Sequence, residues 1–180
     1  MYRLLLVDDE INISKALRRV LHNTAIAPQL SELTVMMHDA PQQALCWAAE
    51  HKVDVVISDY RMPVMDGVTF LTRIKELQPD AALILLSANA DIEGVARAIN
   101  DVGICRFLSK PWIDAQLKAA VADALKTQAL LLENRRLADE VRLQQGVISK
   151  QEIELKRLEA TSPGITRVRW SEDGGVLLET

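Results

Sequence analysis

Three aspartates are the residues of this sequence best suited to chemistry. Asp8 and Asp9 directly follow one apolar run, and Asp59 comes just after a second. Carboxylates of like charge do not share a site without a cation, because their mutual repulsion disfavours ionisation. A hard divalent ion with oxygen ligands, Mg²⁺ in the first place, would neutralise them. The same ion suits phosphoryl transfer, in which it offsets charge on the moving group while a carboxylate oxygen attacks.

Two further polar side chains follow apolar runs later in the chain. Ser87 ends one run, and Lys110 follows another. Lys110 could pair with phosphoryl oxygens, and the Ser87 hydroxyl could donate a hydrogen bond to them. Taken alone, an Asp-Asp-Glu run is often only the polar start of a helix, and a Lys-Pro pair is often only a turn. Taken together with Asp59, these residues predict one site.

Short apolar runs that alternate with segments of helical period must position these side chains. The runs predict strands at Leu4–Val7, Leu33–Met37, Val53–Ile57, Ala82–Leu86 and Arg106–Leu108. Helices are predicted at Ile13–Leu21, Pro41–Glu50, Val68–Leu77 and Ile92–Ile99, and one more begins near Trp112. The alternation predicts an α/β fold with a doubly wound, five-stranded parallel sheet. Functional loops of such sheets lie at the carboxyl ends of the strands, where the polar residues above are expected to meet.

Composition restricts the other classes of function. The net charge is −4, and no run of like charges suggests a tail for nucleic acid. Cys46 and Cys105 are far apart, so neither a disulfide framework nor a zinc site is predicted, which favours a reducing cytoplasm. The apolar start is too short for a signal segment, and no stretch of about 18 apolar residues occurs. We therefore expect a cytoplasmic protein without a membrane span.

The polar residues at the strand ends resemble those of the receiver domains of two-component response regulators. The matching motifs are LLVDDE at 5–10, DYRMP at 59–63, MDG at 65–67, SA at 87–88 and KPW at 110–112. The resemblance covers residues 1 to about 125 and implies a flavodoxin-like fold. It implies that Asp59 is the phosphoacceptor and that a histidine kinase is the donor.

The resemblance also implies a Mg²⁺ site. Asp9 would bind the ion directly and Asp8 through water. Asp59 and the backbone carbonyl of Arg61 would complete the protein ligands. The peptide bond before Pro111 is expected to be cis.

Two residues hold the positions of the family's switch pair, which reports phosphorylation by moving together. These residues are Ser87 and Phe107. Phe107 departs from the commoner tyrosine, so that a hydroxyl is missing and the switch would depend on ring packing. The alternative for Phe107 is a plain core aromatic.

The last helix is predicted to continue well beyond the receiver. From Asp114 to about Ala160 the chain has no proline and one glycine. In heptads, one seam position holds Thr127, Asn134, Val141, Ile148 and Leu155, and the other holds Leu130, Leu137, Gln144, Gln151 and Leu158. This spacing predicts a coiled coil that pairs two copies through residues 127–158. The alternative is a helix that folds back on its own receiver domain.

Three regions are therefore predicted: a receiver domain at 1–125, a coiled-coil dimerisation helix at 126–160 and a terminal β-hairpin tail at 161–180. The hairpin strands would be Ile165–Trp170 and Val176–Glu179. From Asp114 to Ala160, eight Lys or Arg residues balance eight Asp or Glu residues. Without a basic block, direct DNA binding is not expected.

The leading functional hypothesis is a response regulator that signals through dimerisation and contacts with an unidentified downstream protein. It would not be an enzyme beyond its own phosphoryl acceptance and loss. An alternative is a phosphorelay intermediate or phosphate sink with a constitutive dimer. A phosphatase with an aspartyl nucleophile is disfavoured, because that class has a second Asp two residues after the first, and here Asp8 and Asp9 are adjacent. The KPW motif and long helix also resemble receivers fused to cyclic-dinucleotide phosphodiesterase domains.

Overall fold

The computed structural model describes residues 2–22, 33–88, 103–144 and 150–161. These residues form β1 (Tyr2–Val7), α1 (Ile11–His22), β2 (Leu33–His38), α2 (Pro41–Glu50), β3 (Val55–Asp59), α3 (Gly67–Leu77), β4 (Ala82–Ala88), β5 (Arg106–Lys110), α4 (Asp114–Gln144) and α5 (Lys150–Thr161). The helix predicted at 92–99 and the terminal hairpin lie outside the described residues. Within the described part of the chain, no helix is both long and apolar enough to span a membrane.

The five strands form one parallel sheet in the order β2-β1-β3-β4-β5. The predicted α/β class and doubly wound topology are therefore confirmed. Strands β1, β3 and β4 are buried almost throughout, which explains their continuous apolar sequences. Val7 pairs with Ser58 and Asp59 pairs with Leu86, so the carboxyl ends of the three central strands lie side by side.

Each face of the sheet has its own apolar core. Helices α1 and α4 cover one face, with Leu17, Leu21, Leu117 and Val121 buried against the strands. Helices α2 and α3 cover the other face with a second set of buried residues, Ala44, Ala48, Phe70, Leu71 and Ile74. The sheet is thus held rigidly between two layers of helices. The backbone positions of the residues at its carboxyl edge are therefore fixed.

Three strands extend two residues beyond the ends that their apolar runs predict, and β4 does so by continuing to Ala88. Strand β3 continues to Asp59 and β5 continues to Lys110, two residues beyond the predicted end of each. The polar residues that were expected after β3 and β5 are therefore the last residues of these strands. Backbone pairing in the sheet, rather than side-chain hydropathy, sets these ends.

The C-terminal helices differ from the prediction of one helix that runs to about residue 160. Helix α4 has 31 residues and ends at Gln144, and a second helix, α5, follows from Lys150. Lys156 Nζ lies 3.5 Å from Asp139 Oδ1. In one continuous helix, 17 residues would separate these positions by about 25 Å. The prediction of a single helix is therefore wrong here, because α5 turns back beside α4.

Candidate functional site

Three carboxylates meet at the carboxyl edge of the sheet. One oxygen from each of Asp8, Asp9 and Asp59 lies within 4.8 Å of the other two. Asp8 is 1% exposed and Asp59 is 7% exposed, whereas Asp9 is exposed. Asp8 follows β1 and Asp59 ends β3, and these strands are neighbours, so the topology brings the carboxylates together. This donor set consists of hard oxygens only, which suits Mg²⁺.

Lys110 reaches this acidic cluster from β5. Its Nζ lies 2.6 Å from Asp59 Oδ1 and 2.8 Å from Asp8 Oδ2, and its side chain is 17% exposed. The peptide bond between Lys110 and Pro111 is cis, as expected. Three carboxylates against this ammonium leave two negative charges at the cluster, so a divalent cation would neutralise it.

Burial and pairing oppose each other in this cluster. Burial raises the pKa of Asp8, and the hydrogen bonds from Lys110 and from the Glu10 backbone N–H lower it by less. Burial lowers the pKa of Lys110, but hydrogen bonds and charge from Asp59 and Asp8 outweigh burial and raise that pKa overall. Lys110 is therefore an ammonium at neutral pH. The Asp8 carboxylate is therefore poorly solvated, and an additional cation beside it would favour its ionised form.

The loop between β3 and α3 packs closely around Asp59. The Arg61 N–H donates to Asp59 Oδ2 at 3.1 Å, and the Gly67 N–H donates to the Tyr60 carbonyl at 2.8 Å. A Cβ at Gly67 would lie 2.0 Å from the Asp59 carbonyl oxygen, so only glycine fits there. The side chain of Asp66 caps α3 by accepting from the Thr69 N–H at 2.8 Å.

Ser87 and Phe107 lie on the adjacent strands β4 and β5. Ser87 is 1% exposed, and its hydroxyl donates to the Ala88 carbonyl at 3.2 Å. Its backbone pairs with Ser109, one residue before Lys110. Phe107 is partly buried and packs against the α2–α3 core. The switch role of this pair, and the role of the Arg61 carbonyl as a ligand, stay predictions.

A polar network that the sequence did not predict lies at the opposite edge of the sheet. Gln78 is 7% exposed, accepts from the Val53 N–H at 2.7 Å and donates to the Ala48 and His51 carbonyls at 2.5 and 2.6 Å. Its partners lie 25 to 30 residues away in sequence, so no local pattern points to it. Gln78 holds the α2–β3 connection in place and has no contact with the acidic cluster in these interactions.

The sheet, its acidic edge and the lysine that reaches across it define a receiver-type α/β signalling domain. The chain belongs to the response regulator receiver family, since the model described as "Response regulator receiver domain" matches residues 4–122. Phosphorylation and Mg²⁺ binding are typical of this family.

Curated relatives carry further regions beyond the matched part. The chain is 33% identical over 176 residues to the cyclic di-GMP phosphodiesterase response regulator RpfG of Xanthomonas campestris pv. campestris, covering 96% of this chain and 44% of that protein. It is 31% identical over 147 residues to the hydrogenase transcriptional regulatory protein HoxA of Cupriavidus necator, covering 82% of this chain and 29% of that protein. The chain thus spans less than half the length of either relative.

A solved structure agrees with the fold. The signal receiver domain of an HD domain-containing protein from Pseudomonas fluorescens Pf-5 is 37% identical, with a TM-score of 0.65, and the match covers 73% of this chain and 92% of that one.

Proposed function

We propose that Asp59 accepts a phosphoryl group from a histidine kinase in a Mg²⁺-dependent step and that the product controls protein contacts in the cytoplasm. The observation that carries this proposal is the cluster of Asp8, Asp9 and Asp59 with Lys110 spanning two of its members. An Asp59 oxygen would attack phosphorus, the bond to the donor histidine would break, and an acyl phosphate would form.

Each side chain of the site has a proposed part in this step. Asp8, Asp9, Asp59 and the Arg61 carbonyl would hold Mg²⁺, which supplies positive charge to the phosphoryl oxygens. Lys110 would exchange its contact with Asp59 for one with a phosphoryl oxygen, and remain charged because its pKa is raised. The Ser87 hydroxyl would give up its bond to the Ala88 carbonyl and donate to a second phosphoryl oxygen, while Phe107 repacks.

We propose the C-terminal helices as the surface that carries output. The exposed large apolar residues of α4 and α5 fall almost entirely on the predicted seam, with Leu130, Leu137, Val141, Leu155 and Leu158 between 43% and 58% exposed. An apolar stripe of this kind marks a site of protein contact. A homodimer through residues 127–158 would cover it. Because α5 turns back beside α4, two copies would pair as helix pairs rather than as one two-stranded rod.

A second candidate is that this chain is the regulatory part of a cyclic di-GMP phosphodiesterase response regulator. The match to RpfG favours it, because that match covers 96% of this chain and so includes the C-terminal helices. The activity would lie in a further domain, and residues 1–180 would remain a phosphoacceptor without an enzymatic role. Transcriptional regulators also occur among the relatives, but the balanced charge of α4 and α5 gives no support to direct DNA contact. A phosphorelay intermediate or phosphate sink would share the site and lack a switched output.

The test of the phosphoacceptor is labelling of the whole chain with acetyl phosphate and Mg²⁺, followed by intact mass. The wild type should gain one phosphoryl group, and a chelator should prevent the gain. Asp59→Asn should abolish labelling. The matched control is Asp66→Asn in the same loop, which preserves the helix cap because Asn caps as well as Asp does. Equal labelling of Asp59→Asn and the wild type would overturn the assignment.

The output proposal needs a separate measurement, the solution mass by light scattering with Mg²⁺ and with or without beryllofluoride. A mass that changes between dimer and monomer would support a switched dimer, whereas an unchanged dimer would favour the relay. Leu137→Glu should break the dimer, and Ala129→Glu, on an exposed face of α4 away from the seam, should not. A monomer in both states would contradict pairing.

A further inference from the structure

Helix α4 has two parts that contact the receiver very differently. Its first part, residues 114–125, belongs to the core, where Leu117, Val121 and Leu125 are at most 2% exposed. We call the next ten residues, 126–135, the arm. The arm lies over the amino end of β4, where Gln128 and Leu132 line a cavity of about 150 Å³ together with Pro79, Ala82 and Cys105. The arm therefore covers the receiver without packing tightly against it, because the cavity lies between them.

The buried polar group of the arm weakens this contact. Gln128 is 4% exposed, and within the described part of the chain its Nε2 has no hydrogen-bond partner. An amide that leaves water without a new partner opposes burial by more than one ordinary hydrogen bond contributes. The arm therefore meets the receiver at a disadvantage that a purely apolar side chain would not create.

An ion pair holds the far end of the arm. Arg135 pairs with Asp80, which lies in the turn between α3 and β4. The Arg135 side chain is 58% exposed and the Asp80 side chain is 28% exposed, so water screens their attraction. Ion pairs at this exposure stabilise only weakly. A weak pair at one end and an amide nitrogen without a protein partner at the other make the arm a less firmly held part of α4 than residues 114–125.

We propose that the arm is a releasable latch, held on the receiver by the Asp80–Arg135 pair and loosened by Gln128, which opens while residues 114–125 stay packed. Release uncovers Leu132 and frees Leu131 from the edge of the cavity, next to Leu130 on the exposed seam. The latch therefore controls how much apolar surface α4 offers to a partner. This property depends on contacts away from Asp59, and its test does not require phosphorylation.

The test is hydrogen exchange with mass spectrometry on the whole chain. In the wild type, peptides from the arm should exchange faster than peptides from 114–125, because a released helical segment that loses its packing frays and exposes its amides. Arg135→Ala should raise exchange in the arm by about two- to fivefold. Arg136→Ala is the matched control, because the Arg136 pair with Glu133 lies within the same helix and should leave the arm bound.

Two further variants separate the latch from a change in helix propensity. Asp80→Asn leaves the sequence of α4 unchanged and should accelerate hydrogen exchange in the arm as Arg135→Ala does. The double variant, Asp80→Asn with Arg135→Ala, should exchange no faster than either single variant. Gln128→Met keeps the side-chain length, removes the unsatisfied amide and should slow exchange in the arm by about fivefold or more. The proposal is overturned if the arm and 114–125 exchange as one unit, if Arg135→Ala behaves like Arg136→Ala, or if Gln128→Met exchanges faster than the wild type.

Discussion

The two ends of the sheet use buried polar groups in opposite ways. At the carboxyl end, Asp8, Asp59 and Lys110 place like and opposite charges in one poorly solvated cluster. At the amino end, neutral Gln78 satisfies three backbone groups, and Asp54 accepts from the Arg3 N–H at 2.8 Å. At the amino end, the buried polar side chains therefore have a structural role, because they form hydrogen bonds with backbone groups. The carboxyl end leaves negative charge unmatched.

This difference indicates which end is shaped by function. Buried charges require desolvation, and pairing alone often fails to offset it, so a charged cluster is a poor means of stabilising a fold. The raised pKa of Asp8, which burial causes, is a direct sign of that penalty. A cation or a phosphoryl group would complete the carboxyl end, whereas the Gln78 network requires no further group.

The largest expected effect is that of removing the ammonium from the carboxyl end. Lys110→Met should lower the free energy of unfolding by about 3 to 4 kcal/mol without Mg²⁺, because two buried carboxylates lose their partner. Added Mg²⁺ should then stabilise the variant more than it stabilises the wild type. Urea unfolding with and without Mg²⁺ measures both. Lys126→Met, at an exposed site on α4, is the control and should change stability by less than about 0.5 kcal/mol. An equal Mg²⁺ increment in Lys110→Met and the wild type would contradict the account of the cluster.

The next effect concerns the backbone under Asp59. Gly67→Ala should lower stability by about 3 kcal/mol and slow labelling by acetyl phosphate at least about tenfold, because the new Cβ must displace the Asp59 carbonyl. Gly103→Ala is the matched control. Gly103 has a φ of 72° with open space around it, so alanine should lower stability by only about 1 kcal/mol and leave the labelling rate unchanged. If both variants labelled at the wild-type rate, Gly67 would have no part in positioning the acceptor.

Substitution at the amino end should separate stability from labelling. Gln78→Met keeps the volume but leaves the Val53 N–H and two carbonyls without their partner, so we expect a loss of about 2 kcal/mol. Labelling of the folded protein should be unchanged. Denaturant titration and labelling rate are measured on the same sample, with exposed Gln42→Met as the control. A reduced labelling rate in Gln78→Met would show that the two ends are coupled.

The smallest expected effect is an increase in stability on substitution of Val64. Val64 has a φ of 72° and is 91% exposed, in the loop that follows the acceptor. A β-branched residue is strained in this conformation and glycine is not, so Val64→Gly should raise the free energy of unfolding by about 1 kcal/mol. Val64→Ala retains the Cβ and should gain less. A loss of stability in Val64→Gly would show that the valine contributes a contact worth more than the strain.

The carboxyl end could be predicted from sequence because its residues adjoin apolar runs. Parallel strands with buried faces are continuous apolar segments, so Asp8, Asp59 and Lys110 could be assigned to one edge before any coordinates. The motifs around them supplied the family. The Gln78 network could not be predicted, because its partners become neighbours only through packing of α2 against α3.

The path of the C-terminal helices, in contrast, could not be predicted from the sequence pattern. The heptads continue from Thr127 to Leu158 without interruption, and Gly146 is the one residue of this stretch whose type points to a break between α4 and α5. The Arg135–Asp80 pair joins residues 55 apart in sequence, so its existence depends on the path of α4 over the receiver. Periodicity identifies the apolar face of a helix, whereas tertiary packing determines what that face contacts.

The identity of the phosphoacceptor can be tested directly by locating the acyl phosphate. The whole chain is treated with acetyl phosphate and Mg²⁺, reduced with borohydride, which converts an aspartyl phosphate to homoserine, and digested for mass spectrometry. We expect homoserine at position 59 and nowhere else, and none in Asp59→Asn. Homoserine at position 8 or 9, or at position 54 on the opposite edge, would contradict the claim that the carboxyl end of β3 carries the acceptor.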